Sequence, residues 1–322
     1  MLKWLPLNRL QKIRVSNYII IILCLIAIIQ LFAYYGYYEY DYIPKEEIDK
    51  HLYKHVNPNL VRKSKTDCEY ASIYEKVFPD NWDVRKQVNE FVPSGIANGS
   101  FVPTDCHPLF SVAILVTYRN RQSQLDVFIP FIHNFLRKQK IHYKIYIIEQ
   151  QDDKPFNKGL LYNIGAKQAI ADKFPCLIHH DVDLLPLNAA NLYVCLQQPR
   201  HMSAIIDKFR FVLPYKTLVG GVLAIRSDQY VDLNGFSNKF KGWGGEDDEF
   251  AARIKSHNLD ILRFPPDISR YTMLVHKQEP KNTDRHHIMA HTKPARDGFA
   301  SPARHIASLH AHPLFTRISV KT

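Results

Sequence analysis

Apolar positions fall into two regimes along the chain. Near the N-terminus, NYIIIILCLIAIIQLFAYY runs from Asn17 to Tyr35 without a charged residue. Eighteen or more apolar residues suffice to cross a hydrocarbon core of roughly 30 Å. From Ser111 onward the runs are shorter and alternate in kind. SVAILVTY is a nearly continuous apolar run and predicts a strand buried on both faces. RQSQLDVFIPFIHNFLRKQ places Leu125, Phe128, Ile129, Ile132 and Leu136 on one helical stripe. YKIYIIEQ predicts the next strand, NKGLLYNIGAKQAIAD the next helix and CLIHHD a third strand. This alternation predicts an α/β domain with a mostly parallel central sheet and helices on both faces. In such sheets the site lies beyond the carboxyl ends of the strands.

The charges around the apolar run give it a direction. Lys3, Arg9, Lys12 and Arg14 precede it, whereas Glu39, Asp41, Glu46 and Glu47 follow with Lys45 the only nearby base. The positive-inside rule then places the N-terminus in the cytosol and the rest outside or in a lumen. Tyr34, Tyr35, Tyr37 and Tyr38 fit an interfacial aromatic belt. A cleaved signal peptide is the alternative, but the run is long for one and no small-x-small cleavage site follows. The expected organisation is a cytosolic tail at 1–16, a transmembrane signal anchor at 17–38, a stem at 39–67 and a lumenal domain at 68–322.

Bulk composition narrows the function classes. The 322 residues are 46% hydrophobic and 23% charged, with a net charge of +11. Such an excess suits nucleic acid or an anionic surface. No zinc-finger spacing, RNP-like aromatic box or Lys/Arg block accompanies it, so no nucleic-acid partner is expected. No GxGxxG or P-loop follows the first strand, which leaves dinucleotide and P-loop readings without their fingerprint. Asn98-Gly99-Ser100 is a glycosylation sequon, meaningful only in a secretory compartment. Of five cysteines, Cys24 lies in the apolar run; Cys68, Cys106, Cys176 and Cys195 allow two disulfides in three pairings.

Two stretches carry candidate chemistry. The third strand ends in HHDVDLLP, where Asp181 and Asp183 flank Val182. Alternate residues of extended chain face the same way, so both carboxylates can enter one site. Paired carboxylates there suit a hard divalent cation that also binds phosphate oxygens. The second stretch is KGWGGEDDEFAARI, residues 241–254, with Glu246, Asp247, Asp248 and Glu249 in sequence. Successive helical residues diverge by about 100°, so one helix cannot aim all four acids at one point.

VTYRNRQSQL, FNKGLLYNIG, HHDVDLLP, QQPRH, DKFRFVLPY, VGGV, NGFSNKFKGWGGEDDEF and MAHTK occur in order across roughly residues 68–320. Together they resemble the β-1,4-galactosyltransferase family. The resemblance implies a GT-A fold, a UDP-sugar donor, Mn²⁺, inversion at the anomeric carbon and a single-pass type II Golgi membrane protein with its catalytic domain in the lumen. By motif, Asp183 is the direct metal ligand with Asp181 beside it on the sugar nucleotide. YTMLVH supplies Met273 and His276; the imidazole is a sensible ligand, whereas the thioether rests on the resemblance alone. Arg119 and Arg121 are placed on the nucleotide diphosphate or uridine, and Phe156 and Lys158 stand where the family commonly has Phe-Asn-Arg. Tyr215, Gly221 and Trp243 fall on the donor side, Trp243 on a glycine-rich lid. Asp247 becomes the general base, Glu246 and Asp248 hold the acceptor, and Glu249 is left to complement the helix dipole. The resemblance pairs Cys176 with Cys195 and Cys68 with Cys106.

One departure bears on the donor. The family's galactosyltransferases have YFGG where this chain has LVGG, so Leu218 replaces a Tyr that hinders the donor's N-acetyl group. The expectation is therefore transfer of GalNAc from UDP-GalNAc to a GlcNAc-terminated glycan of a glycoprotein or glycolipid. Transfer of galactose is the alternative, and a catalytically inactive glycan-binding or chaperone subunit a further one. A helper subunit or homodimer is left open.

Overall fold

The computed structural model describes residues 7–36, 40–62, 64, 66–74, 83–301 and 306–322. Lys3, Tyr37, Tyr38 and Glu39, named above, lie outside the described residues. One unit is the N-terminal helix Leu7–Gly36. Its segment Val15–Phe32 has a mean hydropathy of 2.5 and no buried residue, so it is long and apolar enough to cross a membrane.

The second unit begins at Asp41, within the stretch read above as a stem. Ile43, Ile48 and Leu52 are buried in the main hydrophobic core. Ile43 donates its amide to the Arg263 carbonyl and Tyr53 to that of Cys195. The folded unit therefore extends into residues 41–67. Its anchoring side chains are four or five residues apart around Pro44, and this irregular spacing carries no helical or strand period.

Among the described residues, twelve strands form two sheets. They are β1 (Ile96–Ala97), β2 (Ser100–Phe101), β3 (Ser111–Tyr118), β4 (His142–Gln150), β5 (Cys176–Asp181), β6 (Leu184–Pro186), β7 (Arg200–His201), β8 (Ile205–Ile206), β9 (Val222–Arg226), β10 (Arg270–Met273), β11 (Ile306–His312) and β12 (Phe315–Lys321). The nine-stranded sheet runs β1-β2-β4-β3-β5-β9-β7, with β12 also on β4 and β11 on β12. Only its centre is parallel: β3 pairs in parallel with β4 and β5, and β12 with β4. The flanking pairs β5–β9, β7–β9, β2–β4 and β11–β12 are antiparallel. The expected mostly parallel sheet is thus a mixed one. Parallel neighbours need a crossover connection, and the Gln122–Arg137 and Lys158–Ala171 helices serve as those between β3, β4 and β5. The smaller sheet is β6-β10-β8.

Alternation along β3 divides the core. Val112, Ile114 and Val116 join Leu125, Phe128, Ile129, Ile132 and Leu136 on one face. Ala113 and Leu115 join Leu160, Leu161 and Ile164 on the other. Gly165 lets the second helix approach closely: a Cβ there would lie 2.8 Å from the Ile148 side chain. Disulfides join Cys68 to Cys106 and Cys176 to Cys195, the pairing implied by the resemblance. The second holds the start of β5 to the segment before β7, and loops of this size contribute about 3 kcal/mol each.

Candidate active site

β3 and β5 end at the floor of a cleft of about 650 Å³. Arg119 and Arg121 follow β3, while Asp181 closes β5 and Asp183 follows it. The cleft also brings together Phe156, Lys158, Tyr215, Leu218, Gly221, Trp243, Glu246, Asp247, Asp248, Met273 and His276. All fifteen cleft residues expected from the sequence therefore share one cavity.

Asp181 and Asp183 are held by the backbone. Asp181 donates its amide to the Gly221 carbonyl at 3.0 Å, and Leu274 donates to the Asp183 carbonyl at 2.7 Å. Pairing of β6 with β10 sets Met273 opposite Leu184, immediately after Asp183. His276 Nδ1 lies 2.7 Å from Asp183 Oδ2. Burial and the Asp181 charge push the Asp183 carboxyl up to about 6, opposed by His276 and Lys158. A buried carboxylate beside an imidazole, with negative charge in excess, is a donor set that fits a divalent cation. Asp183, Met273 and His276 would hold it. Asp207 was not singled out from the sequence, although it lies in the noted DKF segment. Its carboxylate accepts from the Met273 amide at 3.0 Å and from the Thr272 hydroxyl, and so fixes β10.

Lys158 is placed differently from a simple donor contact. Its ammonium lies 2.6 Å from Asp181 and 3.8 Å from Glu246. Burial alone would lower its pKa, but Asp181, Tyr162 and Glu246 hold it well above the usual lysine value. It stays charged and ties Asp181 at the end of β5 to Glu246 on the acidic helix. Arg119 is engaged by the Lys154 carbonyl and by Glu279 at 3.1 Å, with Phe156 under its guanidinium. Arg121 donates to the Lys277 carbonyl. Both arginines thus brace the segment after His276 while lining the cleft; Glu279 had no sequence signal beyond its charge.

Trp243 is 47% exposed at the cleft mouth. Its amide donates to Pro280 and its carbonyl accepts from Asn282. Gly242, Gly244 and Gly245 all have φ between 81° and 101°, a region nearly closed to other residues. The segment leading into this loop is tied by side chains. Asn157 and Asn163 side-chain amides hold the Asn238 and Phe236 carbonyls at 2.7 Å.

The acidic helix Glu246–Ser256 starts at Gly245 and its four acids divide as their divergence requires. Glu246 is 7% exposed, and burial with the Asp247 charge pushes it to about 7 against the pull of Lys158. Asp247 is also raised, by burial and then by Asp248, with Lys158 opposing. Asp248 accepts from the Tyr215 hydroxyl at 2.8 Å. Glu249 is a correction to the dipole role expected for it. It is buried, and Arg253 Nε donates to both its oxygens at 2.8 Å. The i,i+4 spacing makes that pair. Arg253 then donates to the Asn234 and Gly235 carbonyls.

Gly220 was noted only within its motif. A Cβ there would lie 2.4 Å from Asp247 Oδ2. Gly220→Ala is therefore expected to displace the carboxylate and lower turnover about 100-fold, with the melting temperature nearly unchanged. Steady-state kinetics beside a thermal melt check this; retained turnover would mean that Asp247 tolerates the shift.

Two family models match in tandem: the N-terminal region of glycosyl transferase group 7 over residues 70–196, and the N-terminal domain of galactosyltransferase over residues 200–277. Bos taurus β-1,4-galactosyltransferase 1 is 35% identical over 276 residues, 82% of this chain and 68% of that protein. The Homo sapiens protein of the same name is 38% identical over 234 residues, 71% of this chain and 59% of that one. The chain thus spans about 59–68% of these relatives' lengths. A solved structure of Drosophila β-1,4-galactosyltransferase 7 in complex with manganese, UDP-Gal and xylobiose superimposes with a TM-score of 0.59. It is 26% identical and covers 66% of this chain and 94% of that one. The parallel sheet centre, the Asp-x-Asp at its edge and these matches agree, and the chain belongs to the β-1,4-galactosyltransferase family of glycosyltransferases.

Proposed function

We propose that the protein is an inverting, Mn²⁺-dependent β-1,4-N-acetylgalactosaminyltransferase that moves GalNAc from UDP-GalNAc to a terminal GlcNAc. The carrying observation is Leu218, which lines the cleft next to Gly220 and Asp247. A Tyr there fills the space a 2-acetamido group needs; Leu leaves it open. The names of the relatives favour the second reading, galactose from UDP-Gal.

Asp247 accepts the proton of the acceptor hydroxyl as its oxygen bonds to the anomeric carbon. The bond from that carbon to the diphosphate breaks, and UDP departs with the electron pair. A divalent metal held by Asp183, Met273 and His276 would supply charge neutralisation to the leaving diphosphate. Arg119 and Arg121 bind the nucleotide end, where a guanidinium fork matches phosphate. Glu246 and Asp248 orient the acceptor, and Trp243 covers the donor. The apolar helix anchors the chain as a type II protein of the Golgi membrane, with the folded unit in the lumen. Asn98, exposed in the turn between β1 and β2, is the glycan attachment site.

The test offers UDP-GalNAc and UDP-Gal in parallel with Mn²⁺ and a GlcNAc glycoside, followed by linkage determination. Greater turnover of UDP-Gal overturns the donor assignment. Leu218→Tyr is expected to shift the GalNAc-to-Gal preference about 10–100-fold toward galactose, the range one pocket position commonly controls.

A further inference from the structure

Beneath the acidic helix lies a second, much smaller cavity of about 10 Å³, between Lys158, His179, Phe236, Glu246 and Asp247. That is the space of one water molecule. His179 is on β5 and 2% exposed. Its ring stands in an aromatic box, edge-on to Tyr162 at 4.7 Å and stacked on Tyr230 at 4.9 Å, with Phe236 at 5.3 Å. Such a box suits a wholly apolar ring. The Leu223 carbonyl approaches one side of the imidazole, yet neither ring nitrogen completes a hydrogen bond within the protein. Glu246 Oε2, on the same cavity, is likewise buried without a partner. Two orphaned polar groups facing one water-sized space are complementary, because buried polar atoms are normally satisfied by protein or by ordered water.

We propose that His179 is a positioning residue for acceptor binding, acting through one buried water that hydrogen-bonds both its imidazole and Glu246 Oε2. The inference rests on the reading of this cleft as the transfer site with Glu246 at the acceptor. The groups facing His179 are Lys158 and Tyr162 from the helix after β4, Tyr230 from the helix after β9, and Glu246 and Asp247 from the acidic helix. Burial, then the Lys158 charge, holds the imidazole down to about 3. The ring is therefore neutral at physiological pH and has one donor and one acceptor nitrogen. One Glu246 oxygen is steadied by Lys158 at 3.8 Å and the other by the water. The carboxyl then presents a single orientation to the acceptor.

The experiment uses the full-length chain in detergent. His179→Phe fills the box with an isosteric apolar ring and is expected to raise the acceptor KM about tenfold. The donor KM and the melting temperature should stay near wild type. His179→Gln restores a polar group and is expected to recover most of the loss. An unchanged acceptor KM in His179→Phe overturns the proposal, as does a Gln variant no better than Phe. If His179→Phe does not fold, His179→Gln against wild type and a high-resolution crystal structure of the wild-type protein decide. Electron density for a water within hydrogen-bond distance of both His179 and Glu246 is expected, and its absence overturns the proposal. That crystallographic result does not depend on turnover, so failure of the transfer reading would show separately as absence of product from either donor.

Discussion

Asp247→Asn is expected to lower sugar transfer by about 10²–10⁴-fold while binding of UDP and Mn²⁺ is retained. The amide keeps the shape of the carboxylate but cannot accept the acceptor hydroxyl's proton. General-base removal costs about 10²–10⁴-fold in rate, or roughly 3–5 kcal/mol of barrier. Equilibrium binding of UDP beside a transfer assay separates the two functions; unchanged transfer removes Asp247 from the base role. Its environment adds a pH signature. Burial and Asp248 raise the Asp247 pKa, and a base works deprotonated. The wild-type kcat/KM should therefore fall on the acid side at a higher pH than an ordinary aspartate would give. The residual activity of the Asn variant should lack that limb.

The largest expected effect on stability lies two residues further along the same helix. Glu249→Ala leaves the Arg253 guanidinium, 1% exposed, without its charge partner. Breaking a buried ion pair from one side costs about 3–5 kcal/mol. For a unit of this size the melting temperature should fall on the order of 5–10 °C. Replacing both residues, Glu249→Ala with Arg253→Met, should recover much of the loss, because no buried charge remains. A double variant as unstable as the single would show that the guanidinium's hold on the Asn234 and Gly235 carbonyls, rather than its charge, is what matters.

These two acids show where sequence reading succeeds and where it stops. Asp247 and Glu249 are two residues apart with similar side chains, and the 100° step predicts that they diverge. Glu249 meets Arg253 one turn on in the same helix, a spacing the sequence shows; that the pair is buried and held to the Asn234 and Gly235 carbonyls is tertiary. The central strands were legible because burial on both faces leaves an unbroken apolar run: SVAILVTY matches β3 end to end. The two-residue strands β1, β2, β7 and β8 are too short for any period to show. Asp181 and Asp183 announced themselves by alternation at a strand end. Lys158 did not announce its tie to Glu246, because the two meet across 88 residues of chain only once the sheet has formed. Asp207, Gly220 and Glu279 act on neighbours distant in sequence, so their types alone carried no signal.

The pairing of β12 with β4 has a consequence for how the molecule is made. Arg317 bonds Glu149 across 168 residues, and among the described residues no nearer segment pairs with that stretch of β4's edge. While the intervening chain is being synthesised, Ile147 to Gln150 present unpaired backbone along an apolar strand, the kind of edge that invites association with other chains. Contacts this far apart in sequence also slow folding. Until β12 is made, the sheet around β3 and β5 has its β4 edge open. Shielding of that edge during synthesis is therefore expected to influence the yield of folded molecules.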